Sequence, residues 1–319
     1  MKFVLILLLE IIVIPESKIM GNDIRKCDLL PIRFFKKKVF DSQNERLLII
    51  VIKKMISIAL IFFVLYNKYM LAVTLKLFLL FYTKTAFAFV EPDYEREKRW
   101  ADQITPTILE GEIIWIEQTN GHKFLGIYME AANPKGSIII GHGRGWNPDW
   151  ELYGILRLKL YELGYSTFSI QLPVLGPGAK VGDYIPTYED SSNRYDLAAQ
   201  WLIEKGYDGK VAIVSHSLGA TMANQYLITH DNPKIDAWVF ISIINGLQEM
   251  FRIKIPVCDI YGSKDWVITR VGAYERKQKI LKNEGSMQIE IPNGMHFFEG
   301  TEDDLSLSIV KFLGSIGFN

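Results

Sequence analysis

"KVAIVSHSLGATMA", residues 210–223, joins two periodicities with almost nothing between them. Val211, Ala212, Ile213 and Val214 form a short apolar, β-rich run, of the kind buried on both faces of a parallel sheet. Ala220, Met222, Ala223, Tyr226 and Leu227 then recur at helical spacing. Ser217 therefore falls on the connection, with the small residues Ser215, Gly219 and Ala220 around it. A turn this sharp strains the backbone and brings the helix close to neighbouring strands, so bulky flanking side chains would clash. Such a bend holds the Ser217 hydroxyl up at the carboxyl edge of the sheet, as a nucleophile elbow does; an ordinary tight turn has the same local pattern. Ser215 stands where the G-x-S-x-G pattern has its first glycine. That adds only a hydroxymethyl group, which the turn is expected to tolerate.

Working outward, "EIIWIE" and "KFLGIYME" alternate in polarity on either side of Asn120-Gly121, a hairpin signal. "SIIIGH" follows as a buried strand, and Leu152, Leu156, Leu160 and Leu163 mark a helix stripe closed by Gly164. After strand "STFSIQL", the Pro/Gly-rich "LPVLGPGAKVGDYIPTYED" delays a helix carrying Leu197, Ala198, Trp201 and Leu202, which stops at Gly206. Beyond the Ser217 helix come strands "AWVFISI" and "PVCDIYG", a charged helix through about 270–283, strand "MQIEIP", and a last helix with Leu305, Ile309, Phe312 and Leu313. An antiparallel hairpin followed by alternating strands and helices predicts an α/β fold: a mostly parallel sheet with helices on both faces. Ligands in such sheets bind at the carboxyl ends of the strands.

Two further strand ends carry the partners a serine needs. "DIYGSKDWVI" places Asp265 beyond one strand, and "IEIPNGMHFFEG" places His296 beyond the last. Serine is a poor nucleophile at neutral pH and requires a base within hydrogen-bond reach; a carboxylate on the far imidazole nitrogen then fixes the tautomer. Ser217, Asp265 and His296 occur in the chain order of α/β-hydrolase triads. Taken singly, Asp265 also suits a helix cap, and His296 beside Phe297 and Phe298 suits the edge of a core. His122 and His230 fall on the wrong edge, and His216 is expected to point away from its neighbour Ser217.

"IIIGHGRGWNPDW", residues 138–150, supplies the remaining element. Dinucleotide binding fails here, because Trp146 occupies the third glycine position of G-x-G-x-x-G. An oxyanion loop fits better: the backbone N–H groups of Leu218 and of Arg144, or a neighbour of Arg144, would meet the charge that develops on a carbonyl oxygen. His142 is expected to shape this loop. Asn147, Pro148 and Asp149 read as the start of a helix, while Trp146 and Trp150 suit either pocket lining or core cover.

Length and composition bound the alternatives. The chain has 319 residues with 36 basic and 36 acidic side chains, formal net charge zero and 49% hydrophobic residues. Basic residues do not cluster in the globular part, which argues against a nucleic-acid partner. Cys27 and Cys258 support neither a disulfide framework nor a metal site, and Cys258 reads as a small buried hydrophobe. Residues 1–88 differ in kind, with apolar runs broken by charges and too short for the roughly 18–20 residues of a membrane span. From Met70, Lys76, "LFLLFY" and Ala86-Phe87-Ala88 read as a secretory signal peptide; a start at Met55 gives a longer apolar approach to a similar end. Residues 1–54 are then expected to be an over-extended start of the reading frame, with a membrane-associated leader as the alternative. Cleavage after Ala88 would leave an exported domain over 89–319, in the periplasm or secreted, with no stable membrane span.

"HGRG", "SHSLG", "GSKD" and "NGMH" together resemble the α/β-hydrolase superfamily across 111–316. The spacing of "HGRGWNPDW" and "LRLKLYELGYSTFSIQLPVLGPG" is similar to an uncharacterised bacterial branch often found with export signals. The resemblance implies the α/β-hydrolase fold, a Ser217-His296-Asp265 triad, a small-molecule acyl substrate and no cofactor or metal. The link from "SIIN" to "KIPVCDI" is short where many relatives insert a lid, which leaves residues 172–190 to shape the pocket. Tyr184, Ile185 and Tyr188, with Trp146, are the residues expected to touch substrate or else to pack their loops down. The expected reaction is hydrolysis of a carboxylic ester or related acyl bond; a peptidase or amidase, or a non-catalytic binding or envelope protein on the same fold, are the alternatives.

Overall fold

The computed structural model describes residues 49–58 and 91–319, apart from 232 and 245. Two compact units divide the chain, Met1–Ala86 and Phe87–Asn319. In the first, residues 49–58 are helical. The signal-peptide reading of 70–88 and Cys27 lie outside the described residues. Among those described, no helix is long and apolar enough to cross a membrane.

The second unit is built on an eight-stranded sheet of order β1-β2-β4-β3-β5-β6-β7-β8. β1 (Glu112–Glu117) and β2 (Lys123–Met129) form the expected hairpin, and β2 also runs antiparallel to β4 (Ser166–Ile170). β3 (Ser137–Gly141), β4, β5 (Val211–His216), β6 (Ala237–Ile241), β7 (Val257–Gly262) and β8 (Met287–Ile291) are all parallel. Their carboxyl ends therefore share one edge.

Strand alternation sorts the side chains into two cores. Ile139, Ile213, Trp238 and Phe240 pack on one face with Ala198 and Leu202 of helix α3 (Tyr188–Glu204) and Ala223 and Tyr226 of α4 (Leu218–Thr229). Ile138, Ile140, Ala212, Val214 and Cys258 pack on the other, with Leu152, Leu156 and Leu160 of α2 (Leu152–Glu162) and Ile309, Phe312 and Leu313 of α7 (Glu302–Ser315). Burial on both faces explains why the central strands read as continuous apolar runs.

Two local expectations are corrected, and one element is added. Asn147 and Pro148 do not start a helix: Asn147 Oδ1 accepts from the Asp149 N–H at 3.0 Å in a turn, α2 begins only at Leu152, and Asp149 pairs with Arg157 at 2.7 Å. The charged helix expected through 270–283 is two helices, α5 (Val267–Val271) and α6 (Ala273–Ile280), separated at Gly272. An additional helix, α1 (Tyr94–Ile104), precedes the sheet. Its buried residues are Glu97 and Ala101, so no stripe of large apolar side chains marks it in the sequence. It is docked largely by hydrogen bonds, with Asp93 N–H donating to Val174 O at 2.7 Å and Arg96 reaching Leu175 O and Gly145 O at 2.5 and 3.2 Å.

Candidate active site

Ser217 sits between β5 and α4 at φ 54°, ψ −117°, a conformation an L-residue adopts only under tertiary constraint. The helix approaches β3 so closely that a Cβ on Gly219 would collide with the carbonyl oxygens of His142 and Gly141. Gly219 is therefore required for packing. Ser215 is accommodated as expected, and its hydroxyl accepts the Trp238 indole N–H at 2.9 Å on the β5–β6 face.

The loops after β7 and β8 meet through another close approach. A Cβ on Gly262 would strike the Gly294 backbone, and Lys264 N–H donates to Gly294 O at 2.9 Å. This contact brings Asp265 to His296. His296 Nε2 lies 3.1 Å from Ser217 Oγ, and its Nδ1 lies 2.7 Å from Asp265 Oδ1. All three side chains are buried. Asp265 Oδ2 accepts the Ser242 hydroxyl at 2.5 Å, and Oδ1 also accepts the Trp266 N–H at 2.6 Å. Burial alone would raise the Asp265 pKa; hydrogen bonds from His296 and Ser242, the His296 charge and the Trp266 N–H outweigh it and hold the carboxyl below its ordinary value. Asp265 is thus a carboxylate that accepts Nδ1–H, which leaves Nε2 free to accept from serine.

His216 does point away from Ser217, and it joins a chain whose protons are fixed by chemistry. The His296 carbonyl can only accept, so His216 Nε2–H donates to it at 2.8 Å. His216 Nδ1 must then accept from the Tyr153 hydroxyl at 2.9 Å, and Tyr153 Oη accepts the Gly143 N–H at 2.7 Å. Burial first, then proximity to His296, pushes the His216 pKa down to about 3, so the ring is neutral. This chain ties the 142–145 loop to the backbone of the histidine beside Ser217.

The same loop is held from other sides. His142 Nδ1–H donates to Gly143 O at 2.8 Å while its Nε2 accepts the Leu172 N–H at 2.9 Å, and burial lowers its pKa to about 4. Arg96 takes Gly145 O, and Gln171 Nε2 takes Trp146 O at 3.2 Å. His142 thus shapes the loop, as expected. A methyl group replacing the Gly143 hydrogen would lie 3.4 Å from Ser217 Cβ, so the loop borders the serine. Among the described residues, neither the Leu218 nor the Arg144 N–H has a protein acceptor. The Arg144 side chain is exposed and donates to Ala179 O at 2.9 Å.

The weaker substrate candidates divide. Trp146 stacks on Trp150 with ring centres 3.8 Å apart, and Phe297 meets both edge-on, at 6.4 and 5.0 Å. Tyr184 is buried, with its hydroxyl accepting the Leu175 N–H at 3.1 Å, so it packs the 172–190 segment down. Tyr188 is half-buried against the α3–α4 core, and Ile185 is exposed. Residues that sequence reasoning missed include Tyr153, Gln171, Arg96, Ser242, Phe297 and Trp266, whose ring lies parallel to the His296 imidazole at 3.5 Å. Adjacency to Asp265 is the sequence signal for Trp266. Phe297 likewise adjoins His296 in the chain; Tyr153, Gln171, Arg96 and Ser242 are joined to the site only through space. Among the described residues, no group of three or more His, Cys, Asp or Glu side chains is arranged to hold a metal ion. His122 pairs with Glu97 at 3.1 Å, and His230 caps the far end of α4.

The sheet order, the elbow and the strand-end site define the α/β-hydrolase fold. Solved structures share it: a lidless α/β serine hydrolase of Xanthomonas campestris has a TM-score of 0.53 at 14% identity, covering 64% of this chain and 94% of its own. A dienelactone hydrolase of Anabaena variabilis has a TM-score of 0.51 at 16% identity, covering 64% of this chain and 97% of its own. An esterase of Pyrococcus furiosus gives 0.51 at 16% identity, covering 66% and 94%. No family model and no curated protein matches the sequence. Between β6 and β7, where a lid would be inserted, the described residues form only loop and one short 3-10 turn, Met250–Arg252.

Proposed function

We propose that the protein is a serine hydrolase that cleaves a carboxylic ester or related acyl bond through an acyl-enzyme. The observation that carries this reading is His296, which bridges Ser217 Oγ and Asp265 Oδ1 at 3.1 and 2.7 Å. His296 Nε2 takes the Ser217 proton as Oγ attacks the acyl carbon. Asp265, kept ionised by its donors, holds the Nδ1–H and stabilises the imidazolium. The Leu218 and Arg144 N–H groups receive the oxyanion, each such donor being worth about 2.7–4 kcal/mol in the transition state. His296 then protonates the leaving alcohol. Water, deprotonated by the same Nε2, attacks the acyl-enzyme and releases the acid and free Ser217.

A loop whose carbonyls at 143, 145 and 146 are already bonded has little reorganisation left for the reaction. That supports the esterase reading over a non-catalytic fold. The test is labelling with a fluorophosphonate, together with turnover of p-nitrophenyl acetate by wild type and Ser217→Ala. Wild type is expected to label and turn over, and the variant to do neither while keeping its circular dichroism spectrum. Equal turnover in the variant, or an unlabelled wild type, would remove the assignment. Export with cleavage after Ala88 belongs to the same proposal, supported by the Ala86-Phe87-Ala88 pattern; N-terminal sequencing of the exported protein tests it.

A further inference from the structure

Beside the triad lies a surface that the reaction as described does not use. Trp266, stacked on the His296 imidazole, is 48% exposed, and Val267, Ile268 and Val271 of α5 are 65%, 61% and 73% exposed. Tyr274 continues the exposed apolar series in α6, and Met295, the residue before the triad histidine, is also exposed. Single exposed hydrophobics are ordinary, but a run of this kind adjoining a reactive centre marks a binding surface.

The chemistry of the surface restricts what covers it. Arg270 is the sole charged side chain from 266 to 274; it is exposed, and its Nε donates to Asp265 O at 2.9 Å. Thr269 is buried. The shelf is therefore mostly methyl and methylene surface, with the exposed Arg270 its one charge. It begins on Trp266, whose ring lies flat against the His296 imidazole at 3.5 Å, so the shelf is continuous with the reactive centre.

Resting on the hydrolase reading, we propose that the substrate class is esters with an extended alkyl chain, laid along Trp266, Val267, Ile268 and Val271 while the ester carbonyl reaches Ser217. A methylene taken wholly out of water gains about fourfold in binding; a one-sided shelf gives about twofold for each methylene.

The test uses the full chain and monomeric p-nitrophenyl esters from acetyl to octanoyl. Wild type is expected to gain about sixtyfold in kcat/KM across that series, at about twofold for each of the added methylenes. The triple variant Val267→Gln, Ile268→Gln, Val271→Gln is expected to lose most of that gain while hydrolysing the acetyl ester at the wild-type rate. Should the triple variant misfold, Val271→Gln alone changes one solvent-facing side chain and is expected to flatten the series in part. A flat wild-type series with Ser217 still labelled by fluorophosphonate overturns the shelf and leaves the hydrolase standing; an unlabelled serine overturns both. Equal slopes in wild type and variant overturn the proposal. If the variant then loses self-association in sedimentation, the shelf is a face for a second copy; if it loses binding to phosphatidylcholine vesicles, the shelf is a membrane face.

Discussion

The two sides of Ser217 are built on opposite principles. On the β3–β5 side, the loop 142–146 is held by His142, Tyr153, Gln171 and Arg96, and each proton in the chain from Gly143 to His296 has a forced position. On the β7 side, the Asp265 carboxylate is saturated with donors, but the residues that follow it turn apolar surface outward. The polar side is organised before any ligand arrives, where charge must be met in the transition state. The apolar side leaves surface uncovered, which a ligand of matching chemistry can cover. The difference teaches that rigidity and unspent apolar area can serve one reaction from adjacent loops.

Asp265→Asn tests the joint between the two sides and has the largest expected effect. The amide can hold its place yet favours the wrong imidazole tautomer, so kcat for acetyl ester hydrolysis should fall by about 10⁴. A loss below tenfold in steady-state assays would mean that Asp265 does not orient His296.

Acid should weaken the polar side selectively. His142 and His216 are neutral in the fold, held by burial at about 4 and about 3 against about 6.5 when unfolded. Between these values the unfolded chain binds more protons, so this stabilisation is complete above about pH 6.5 and is lost as pH falls, at about 1.4 kcal/mol per pH unit for each histidine. Asp265, whose pKa is lowered, adds a loss in the same direction at still lower pH. Urea midpoints measured from pH 7 to pH 4.5 should fall less steeply in His142→Asn than in wild type. Parallel slopes would contradict a neutral buried His142.

Tyr153→Phe sharpens the comparison with the smallest effect. It removes the hydroxyl that accepts from Gly143 and donates to His216, while every residue that meets the reacting atoms remains. The expected result is a kcat about tenfold lower with KM nearly unchanged, since the loop is loosened where the oxyanion forms rather than where the chain binds. Equal loss in KM, or none in kcat, would make Tyr153 a core residue only.

The mostly parallel sheet with its N-terminal hairpin, the elbow and the three strand-end residues were legible because each is written in a local pattern: apolar runs, a turn between small residues, a polar residue just past a strand. Helix α1 was not, since Arg96 and Glu97 dock through hydrogen bonds to segments 49 to 97 positions away, in place of a stripe of large apolar residues. Tyr184 was legible as an aromatic in a variable segment, but only its bond to Leu175 shows it packing that segment down. Gly272 likewise read as part of one helix, and the break there turns residues 267–271 into a separate short helix beside the triad.

By itself, the sequence determined the class of fold and the placing of Ser217, Asp265 and His296 just past strand ends, because burial and turn geometry act on neighbours along the chain. Tertiary structure alone decided that His296 reaches both partners, that Tyr153 and His216 link the loop to it, and that Trp266 opens an apolar shelf at its side. Those contacts join residues tens of positions apart, and their energies depend on distance and direction in space.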